Sequence, residues 1–292
     1  LVGSEMCIRD SPDTMSIFTS SKVLGFENDE ILGPTGAVAI PEFNTRFTRG
    51  MLMDTMPQDF NTLVRLSGFS HGTDVWLGNA RDLIVGGTAS VLETVGCRDD
   101  IMLYLISMGL EPKMSFKIME AVRKGKVKKK GFEDGWEEAM REHQVPDWYI
   151  GSLAKIGYLF PKAHAVAYVM MAFRIAWFKV HEPLAFYATF FSIRAKAFDA
   201  EYCCAGMDAV KQKIREIENN KDATDVEQNL LVTLEVCYEF YLRGFHFDTI
   251  SIYDSDATHF KITENGLLPP FVTVRGLGET AALDTVELSL IH

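Results

Sequence analysis

The side chains best suited to chemistry in this sequence are cations, and many of them lie in one short stretch. Residues 123–130 read RKGKVKKK, and two more cations precede this block in segments of helical character. Arginine binds phosphate oxygens through two parallel bonds and lysine binds them as a point charge. A solvated basic face is the alternative interpretation, because runs of like charge usually lie in solvent. The candidate phosphate ligands are Arg98, Lys117, Arg123, Lys124 and Lys126.

Two other stretches place polar groups together. Residues 70–73 supply a hydroxyl, an imidazole, a glycine backbone and a second hydroxyl in one turn, although Ser and Thr side chains also tie loops to their own backbone. Lys162 and His164 flank the start of an apolar helix, whose N-terminus offers free N–H groups and a positive dipole end to a phosphate. For His164 the alternative is a histidine packed in the core.

Metal chemistry has little support in the pattern of residues. Asp99 and Asp100 are adjacent, and adjacent helical residues point about 100° apart, so we interpret them as a helix cap and an ion-pair partner of Arg98. The histidines form no HxH or HxxxH pair, which disfavours a metal-dependent hydrolase. The cysteines form no CxxC pair, which predicts reduced thiols and a cytoplasmic location. They are Cys7, Cys97, Cys203, Cys204 and Cys237.

The composition allows a folded protein. With 47% hydrophobic residues the chain can bury a core. The apolar run 163–180 has the length of a membrane span, but it contains Arg174 and Lys179, which are costly in hydrocarbon. We therefore expect an interior helix with apolar residues all around its axis. The net charge of -11 argues mildly against a nucleic-acid binder, although the distribution of charge matters more than its sum.

Hydrophobic spacing and the positions of Gly, Pro and Asp predict a mainly α fold with a short β element near the C-terminus. Residues 70–80 are predicted as a loop, and alternating β-branched residues in 246–271 predict a short strand meander. The predicted helices lie within 12–26, at 51–69, 79–85, 90–96, 99–109, 112–124, 146–158 and 163–180, after Pro183, and within 200–242.

Four stretches carry a resemblance to a known family. They are PEFNTRFTRGMLMDTMPQDFNTLVRLSGFSHGTDVWLGNARDLI from Pro41, GCRDDIMLYLISMGLEPKMSFKIMEAVRKGK from Gly96, VPDWYIGSLAKIGYLFPKAHAVAYVMMAFRIAWFKVHEPLAFYATFFSIRA from Val145, and LLPPFVTVRGLGETAA from Leu267. In this order they resemble the PolC-type alpha subunit of bacterial DNA polymerase III, over about residues 12–285. Ordered matches of this length are more specific than one short motif.

The resemblance implies helical polymerase fingers at 41–245, after a palm-to-fingers junction at 12–40. It implies a short β element and the start of a duplex-binding helix-hairpin-helix at 246–285. For the parent enzyme it implies DNA-directed DNA polymerase activity on dNTP and a DNA primer-template, with Mg²⁺ as cofactor. The expected partners of the parent are the sliding clamp and other replisome subunits, in the cytoplasm and without a membrane.

The same resemblance assigns ligands to the candidate residues. The palm carboxylates of the family lie upstream of the matched segments, so we expect this chain to hold no catalytic residue and no metal, and to be inactive alone. The dNTP-binding candidates are Ser70, His71, Gly72, Thr73, Arg98, Lys117, Arg123 and Lys124. The DNA-phosphate candidates are Lys126, Lys162, His164, Gly276 and Gly278.

Three expectations remain beside this assignment. The residues VKKK at 127–130 depart from the family pattern, either as extra template contact or as a tolerated surface insertion. The terminal stretches 1–11 and 286–292 resemble translated sequencing adapter, so we expect an interior fragment of a longer protein. The alternative function is a stand-alone helical binding or scaffolding module without catalytic activity.

Overall fold

The computed structural model describes residues 11–195 and 197–289, and its fold is mainly α-helical with a small three-stranded sheet. This confirms the predicted fold class. Most of the expected artefact at 1–11 and the end of 286–292 lie outside the described residues. The helices are α1 Pro12–Ser16, α2 Arg46–Thr55, α3 Phe60–His71, α4 Arg81–Val85, α5 Arg98–Ser107, α6 Pro112–Arg123, α7 Lys126–Lys130, α8 Trp136–Glu142, α9 Asp147–Lys155, α10 Lys162–His181, α11 Pro183–Thr189, α12 Ala200–Cys203, α13 Met207–Asn219, α14 Asp225–Leu242 and α15 Glu279–Ser289.

Two of the predicted helices are wrong in detail. The helix expected at 51–69 is two helices, because α2 ends at Met56 in a left-handed conformation and Asp59 caps the start of α3. The segment expected as a helix at 90–96 is irregular. Its carbonyl groups at Leu92 and Thr94 accept hydrogen bonds of 2.9 and 2.6 Å from the Arg65 guanidinium instead of from helical N–H groups.

The described residues fall into two compact units. The first combines residues up to Thr19 with Ile40–Arg174, and the second combines Ser20–Ala39 with the residues from Ile175 onward. The boundary between the units lies within α10. In these terms the first unit contains α1 to α9 and most of α10, and the second unit contains α11 to α15 and the sheet.

Aromatic side chains form the centre of the first unit. The Phe18 ring packs edge-on against Phe43 at 5.2 Å and lies parallel to Phe173 of α10 at 5.9 Å. Phe173 also meets the edge of the Phe60 ring at 6.1 Å. These contacts anchor the middle of α10 against the residues that follow α1 and against the start of α3, and thereby help to fix the position of α10.

The burial pattern of α10 contradicts the expectation of an interior helix. Its buried residues recur every three or four positions, so they form one stripe, while Ala167, Tyr168 and Met171 are exposed. The helix has the length and hydropathy of a membrane span, but core helices share that composition, and one such helix is weak grounds for a membrane protein. The buried stripe consists of Ala165, Val169, Ala172, Phe173, Ala176 and Lys179.

The same substitution on the two faces of α10 tests this stripe. Ala172 is fully buried, so Ala172→Asp places an unpaired carboxyl group in the core and is expected to cost about 3 kcal/mol of unfolding free energy. Ala167→Asp, on the exposed face, is expected to change it by less than about 0.5 kcal/mol. Urea unfolding followed by circular dichroism measures both, and equal losses would show that α10 is buried on all sides.

In the second unit, the expected strand meander is a small mixed sheet. Its strands are β1 His246–Phe247, β2 Lys261–Ile262 and β3 Gly266–Leu268, with β3 in the middle, parallel to β1 and antiparallel to β2. The residues between β1 and β2 form turns. The Asp256 carboxylate accepts backbone N–H groups at 2.9 Å there, which removes donors that a strand ladder would need.

A buried ion pair lies at the centre of the second unit. The Nζ atom of Lys179 donates to the carboxylate of Glu239 at 2.7 Å, and both side chains are fully buried. The ammonium group also donates to the carbonyl oxygens of Gly36 and Val38 at 2.8 and 2.6 Å. The hydroxyl of Tyr187 donates to Glu239 at 2.8 Å, and burial raises the pKa of this phenol well above its usual value. Four segments of the unit are thereby joined by one charge-assisted network.

Candidate nucleic-acid and nucleotide interface

An extended segment between α9 and α10 contacts several of the predicted site residues. This junction segment, Gly157–Phe160, exchanges backbone hydrogen bonds with Thr73, whose N–H donates to the Tyr158 carbonyl at 3.0 Å and whose carbonyl accepts from the Gly157 N–H at 2.9 Å. The N–H of Leu159 donates to the Arg123 carbonyl at 3.3 Å. Two stretches that are 50 residues apart in the sequence therefore lie on either side of it.

The junction segment also contacts the start of α5. The Arg98 N–H donates to the Phe160 carbonyl at 3.2 Å. At its other end, Gly157 leaves no room for a side chain, since a β-carbon there would lie 2.8 Å from a carboxylate oxygen of Asp74. Gly125 has a φ of 66° and packs against the Gly157 carbonyl, so the turn after α6 approaches backbone to backbone. The junction segment thus brings together Arg98, Arg123 and Thr73, which are far apart in the sequence.

Four rings form a cluster where the junction segment enters α10. The His71 imidazole stacks on Phe160 with centroids 4.8 Å apart and planes 25° apart. His164 meets Phe160 at 5.0 Å and Tyr168 at 4.8 Å. Both histidines are exposed, and Tyr168 is 46% accessible, so this ring cluster presents flat π surfaces to solvent. The exposure of His164 excludes the alternative of a core histidine.

Residues 70–73 do not form a loop of their own, which corrects the prediction for that stretch. Ser70 and His71 are the last residues of α3, and the Ser70 hydroxyl donates to the Ser67 carbonyl at 3.0 Å. Gly72 is the residue at which the helix ends, and a β-carbon there would clash with Val75. Within this stretch, His71 is the exposed side chain that takes part in the ring cluster.

Arg123 and Lys124 converge on one carboxylate. The Arg123 guanidinium donates to Glu120 through both Nε and Nη2, and the Lys124 Nζ atom lies 2.7 Å from the same carboxylate. The hydrogen bonds from Arg123, and then those from Lys124, lower the pKa of Glu120 to about 2. An incoming phosphate must therefore share or displace Glu120 to reach these cations.

Lys162 lies in a second charged group, at the N-terminus of α10. Its backbone N–H donates to an Asp99 carboxylate oxygen at 2.9 Å, so a side chain already occupies the helix position expected for phosphate. Its Nζ atom lies 3.5 Å from Asp100, which also accepts from Arg65 at 2.6 Å. Asp100 caps α5 through the Cys97 N–H at 2.7 Å, and the Nε atom of Arg98 lies 3.9 Å from Asp99, in line with the predicted roles of this acidic pair.

A cavity of about 230 Å³ lies beside this second charged group. Burial, with a further contribution from the Asp100 charge, raises the pKa of the Cys97 thiol at its wall to about 12. The thiol is therefore protonated at neutral pH and is a poor nucleophile. The residues that line the cavity are Asn61, Val64, Arg65, Leu92, Cys97, Asp100 and Lys162.

The VKKK residues form part of a short helix. In α7 the Val127 side chain is buried, and Lys128 pairs with Asp74 at 2.6 Å. Lys126 and the two last lysines of α7 are exposed. Lys117 is exposed on α6, which ends at Arg123, one residue short of the helix predicted at 112–124.

Gly276 and Gly278 belong to the second unit, whereas the other candidates belong to the first. Gly276 has a φ of 83°, and both glycines line a cavity of about 440 Å³ formed mainly by residues 272–278. Arg275 pairs there with Asp199 at 2.7 Å and with Glu201 at 2.9 Å. These carboxylates raise the pKa of Arg275 and occupy its guanidinium.

The cations of the first unit are paired but accessible. The side chains of Arg98, Lys124 and Lys162 keep 36, 47 and 43% of their area exposed. Exposed ion pairs contribute about 0–1 kcal/mol each, so a phosphate with several charged oxygens can displace such a partner. Lysines 126, 129 and 130 add positive charge on the adjoining turn.

Sequence reasoning missed several residues of this surface. Phe160 and Tyr168 complete the ring cluster, Glu120 binds the two cations, and Glu42 hydrogen-bonds His71 at 2.5 Å. The spacing of His164 and Tyr168, one helical turn apart, was a usable signal for a shared face. The partner of His71 lies 29 residues away and had no local signal.

Among the residues that the structure describes, no group of three His, Cys, Asp or Glu side chains could hold a metal ion. The residues of this surface therefore do not fit the two-metal site of a nucleotidyl transferase.

Comparison with known proteins identifies the protein family to which this chain belongs. Residues 5–144 match the family model of the bacterial DNA polymerase III alpha subunit finger domain. The chain is 52% identical over 95% of its length to the PolC-type DNA polymerase III of Streptococcus pyogenes and of its serotype M4 strain MGAS10750, and 51% identical to that of the serotype M12 strain MGAS2096. It spans 19% of the length of these relatives. The chain belongs to the DNA polymerase III alpha subunit family, as a PolC-type segment.

Proposed function

We propose that the first unit supplies the nucleotide and template contacts of a replicative DNA-directed DNA polymerase. The observation that carries this proposal is the convergence of Thr73, Arg98 and Arg123 on the junction segment, beside the ring cluster and Lys162. Cations for phosphate and flat rings for bases are the two components that single-stranded nucleic-acid and nucleotide sites share. PolC-type relatives carry the name of a DNA polymerase, which supports the same assignment.

Each component has a defined role in this proposal. Arg98, Arg123, Lys124, Lys126 and Lys162 bind phosphate oxygens of dNTP or template, with Lys117 as a further candidate. The ring cluster stacks a base, and the hydroxyls of Ser70 and Thr73 contact the base or sugar. Gly276 and Gly278 offer backbone N–H groups to a duplex phosphate. Phosphate contacts carry no sequence information, so binding to the primer-template is independent of its sequence.

The remaining functions belong to the parent enzyme. We propose that palm carboxylates outside the segment hold its Mg²⁺ ions, which stabilise the attacking and leaving oxygens. The chain alone is then expected to bind nucleic acid without extending a primer. The sliding clamp, the other replisome subunits and a cytoplasmic location are proposed on the same grounds.

A tyrosine pair tests the ring cluster. Tyr168→Ala removes an exposed ring beside His164 and is expected to weaken binding of a fluorescent primer-template with a single-stranded overhang by about 5- to 100-fold, since base stacking contributes about 1–3 kcal/mol. Tyr253→Ala is the matched control, because Tyr253 is 83% exposed in the second unit. Fluorescence anisotropy at low salt measures both affinities.

The outcomes separate the proposal from the scaffolding alternative. A helical scaffolding module is not expected to bind a primer-template. If the unsubstituted chain (the parent of these variants) showed no measurable binding at low salt, the result would favour the alternative. Equal losses for Tyr168→Ala and Tyr253→Ala would remove the ring cluster from the site. The proposal requires the parent to bind and the loss to be confined to Tyr168→Ala.

A further inference from the structure

Glu42, which hydrogen-bonds His71 of the ring cluster, has a strained backbone conformation. The N–H of Phe43 donates to the Ile40 carbonyl at 3.2 Å, which closes a four-residue turn with Pro41 in its second position. The third residue, Glu42, has a φ of 71°. This is the turn pattern in which glycine is preferred at the third position, and a residue with a side chain is strained there. The local sequence therefore offers no reason for a glutamate.

The Glu42 side chain makes contacts that a glycine could not. Its carboxylate is 12% exposed and accepts hydrogen bonds from the Ser67 hydroxyl at 3.1 Å and from His71 Nε2 at 2.5 Å. The His71 ring remains 39% exposed and lies flat on Phe160. One carboxylate oxygen of Glu42 thus accepts hydrogen bonds from the Ser67 hydroxyl and from Nε2 of the His71 ring, which is otherwise accessible.

We propose that Glu42 is a positioning residue that fixes the His71 ring for contact with the nucleoside part of an incoming nucleotide. This inference rests on the proposed function. A carboxylate at Nε2 keeps the proton on that nitrogen, so in the neutral ring Nδ1 is the hydrogen-bond acceptor. Nδ1 accepts from an N–H of the base or from the sugar hydroxyl, whereas the phosphates are bound by the cations along the junction segment. The strain at Glu42 is retained because the carboxylate orients this acceptor.

The role predicts a separation between nucleoside and phosphate binding. Removing the carboxylate should weaken binding of dATP, which offers both an amino group and a sugar hydroxyl. Binding of inorganic triphosphate, which offers neither, should be unchanged. A purely structural role for Glu42 would instead weaken both ligands together, through loss of the folded surface.

Glu42→Gly is the decisive variant, because glycine suits the turn conformation. We expect its melting temperature to stay within about 2 °C of the parent, since relief of backbone strain offsets the lost hydrogen bonds. Its dATP affinity should fall about tenfold, which is the loss of about one charge-assisted hydrogen bond, and its triphosphate affinity should change less than about twofold. Glu42→Gln keeps an oxygen acceptor at the same reach and should restore dATP affinity to within about threefold of the parent.

Two further measurements complete the test. Gln144→Gly is the matched control, because Gln144 has a φ of 60° in the same unit, and it should leave both affinities unchanged. In ¹⁵N NMR of labelled histidine, the parent should show His71 protonated on Nε2 at high pH, and Glu42→Gly should show a mixture of tautomers.

The possible negative results lead to different conclusions. Parent-like dATP binding by Glu42→Gly, or an equal loss of dATP and triphosphate, would overturn the positioning role. If the parent bound neither dATP nor primer-template, the proposed function would fail and the nucleoside contact with it. The NMR tautomer measurement would still decide whether Glu42 orients His71, and an unchanged tautomer in Glu42→Gly would overturn that part too.

Discussion

Replacing Lys179 by methionine is expected to lower the unfolding free energy of the chain by about 3–5 kcal/mol. The substitution keeps roughly the length of the side chain but takes the ammonium group away from the fully buried Glu239 carboxylate, and the Tyr187 hydroxyl is the donor that remains in the network. The carbonyl oxygens of Gly36 and Val38 lose the same ammonium donor. Urea unfolding followed by circular dichroism measures the loss, which is a large part of the stability of an ordinary domain.

Two controls separate the buried charge from general disruption. Lys179→Met/Glu239→Leu removes both charges, and it should recover a substantial part of the loss, because no uncompensated charge stays buried. Lys211→Ala breaks an ion pair with Glu30 at the surface of the same unit, where the expected loss is below about 1 kcal/mol. A single Lys179→Met variant as stable as Lys211→Ala would show that the Lys179–Glu239 pair is not buried as described.

The sequence indicated the helices well where hydrophobic spacing and caps agreed. Helices α5, α6 and α9 lie where Gly, Asp or Pro bounded an apolar repeat. The apolar residues of α10 were recognised, but their burial was not, because composition does not reveal which face meets a neighbour. The segment 90–96 has helical spacing, and a distant guanidinium takes its carbonyl groups. Such a competitor is visible only in three dimensions.

The candidate site, like the fold, could be predicted only in part from the sequence. The cations suited to phosphate were recognised in the sequence, the rings of Phe160 and Tyr168 were not, and the structure places Thr73, Arg98 and Arg123 along one segment. The acidic partner of Arg98 was predicted, whereas Glu120 was missed, although it lies three and four residues before Arg123 and Lys124, a spacing that is visible in the sequence. Glu42 had no local signal, because His71 lies 29 residues away and the φ of 71° is one that a glutamate disfavours.

Arg123→Ala/Lys124→Ala is expected to weaken binding of a primer-template and to flatten its dependence on salt by about one to two units of slope. Each duplex phosphate neutralised contributes a slope of about -0.9 in log affinity against log salt concentration. The loss should be equal for unrelated DNA sequences, because phosphate contacts position the ligand without reading bases. The melting temperature should barely change, since both cations lie in a partly exposed ion-pair group with Glu120.

Lys211→Ala/Arg215→Ala is a closely matched control. These residues are also one lysine and one arginine that share a carboxylate, that of Glu30, but they lie on α13 of the second unit. The control removes the same charge from the chain without touching the junction segment. A nonspecific effect of net charge would therefore appear in both double variants alike.

The most direct test of a phosphate-binding surface along the junction segment is the salt dependence of primer-template affinity for these three proteins. Fluorescence anisotropy from about 50 to 300 mM salt gives each slope. We predict a steep slope for the parent, the same slope for Lys211→Ala/Arg215→Ala, and a slope shallower by about one to two units for Arg123→Ala/Lys124→Ala. A folded Arg123→Ala/Lys124→Ala variant with the slope of the parent would contradict the assignment of this surface to DNA or nucleotide phosphate.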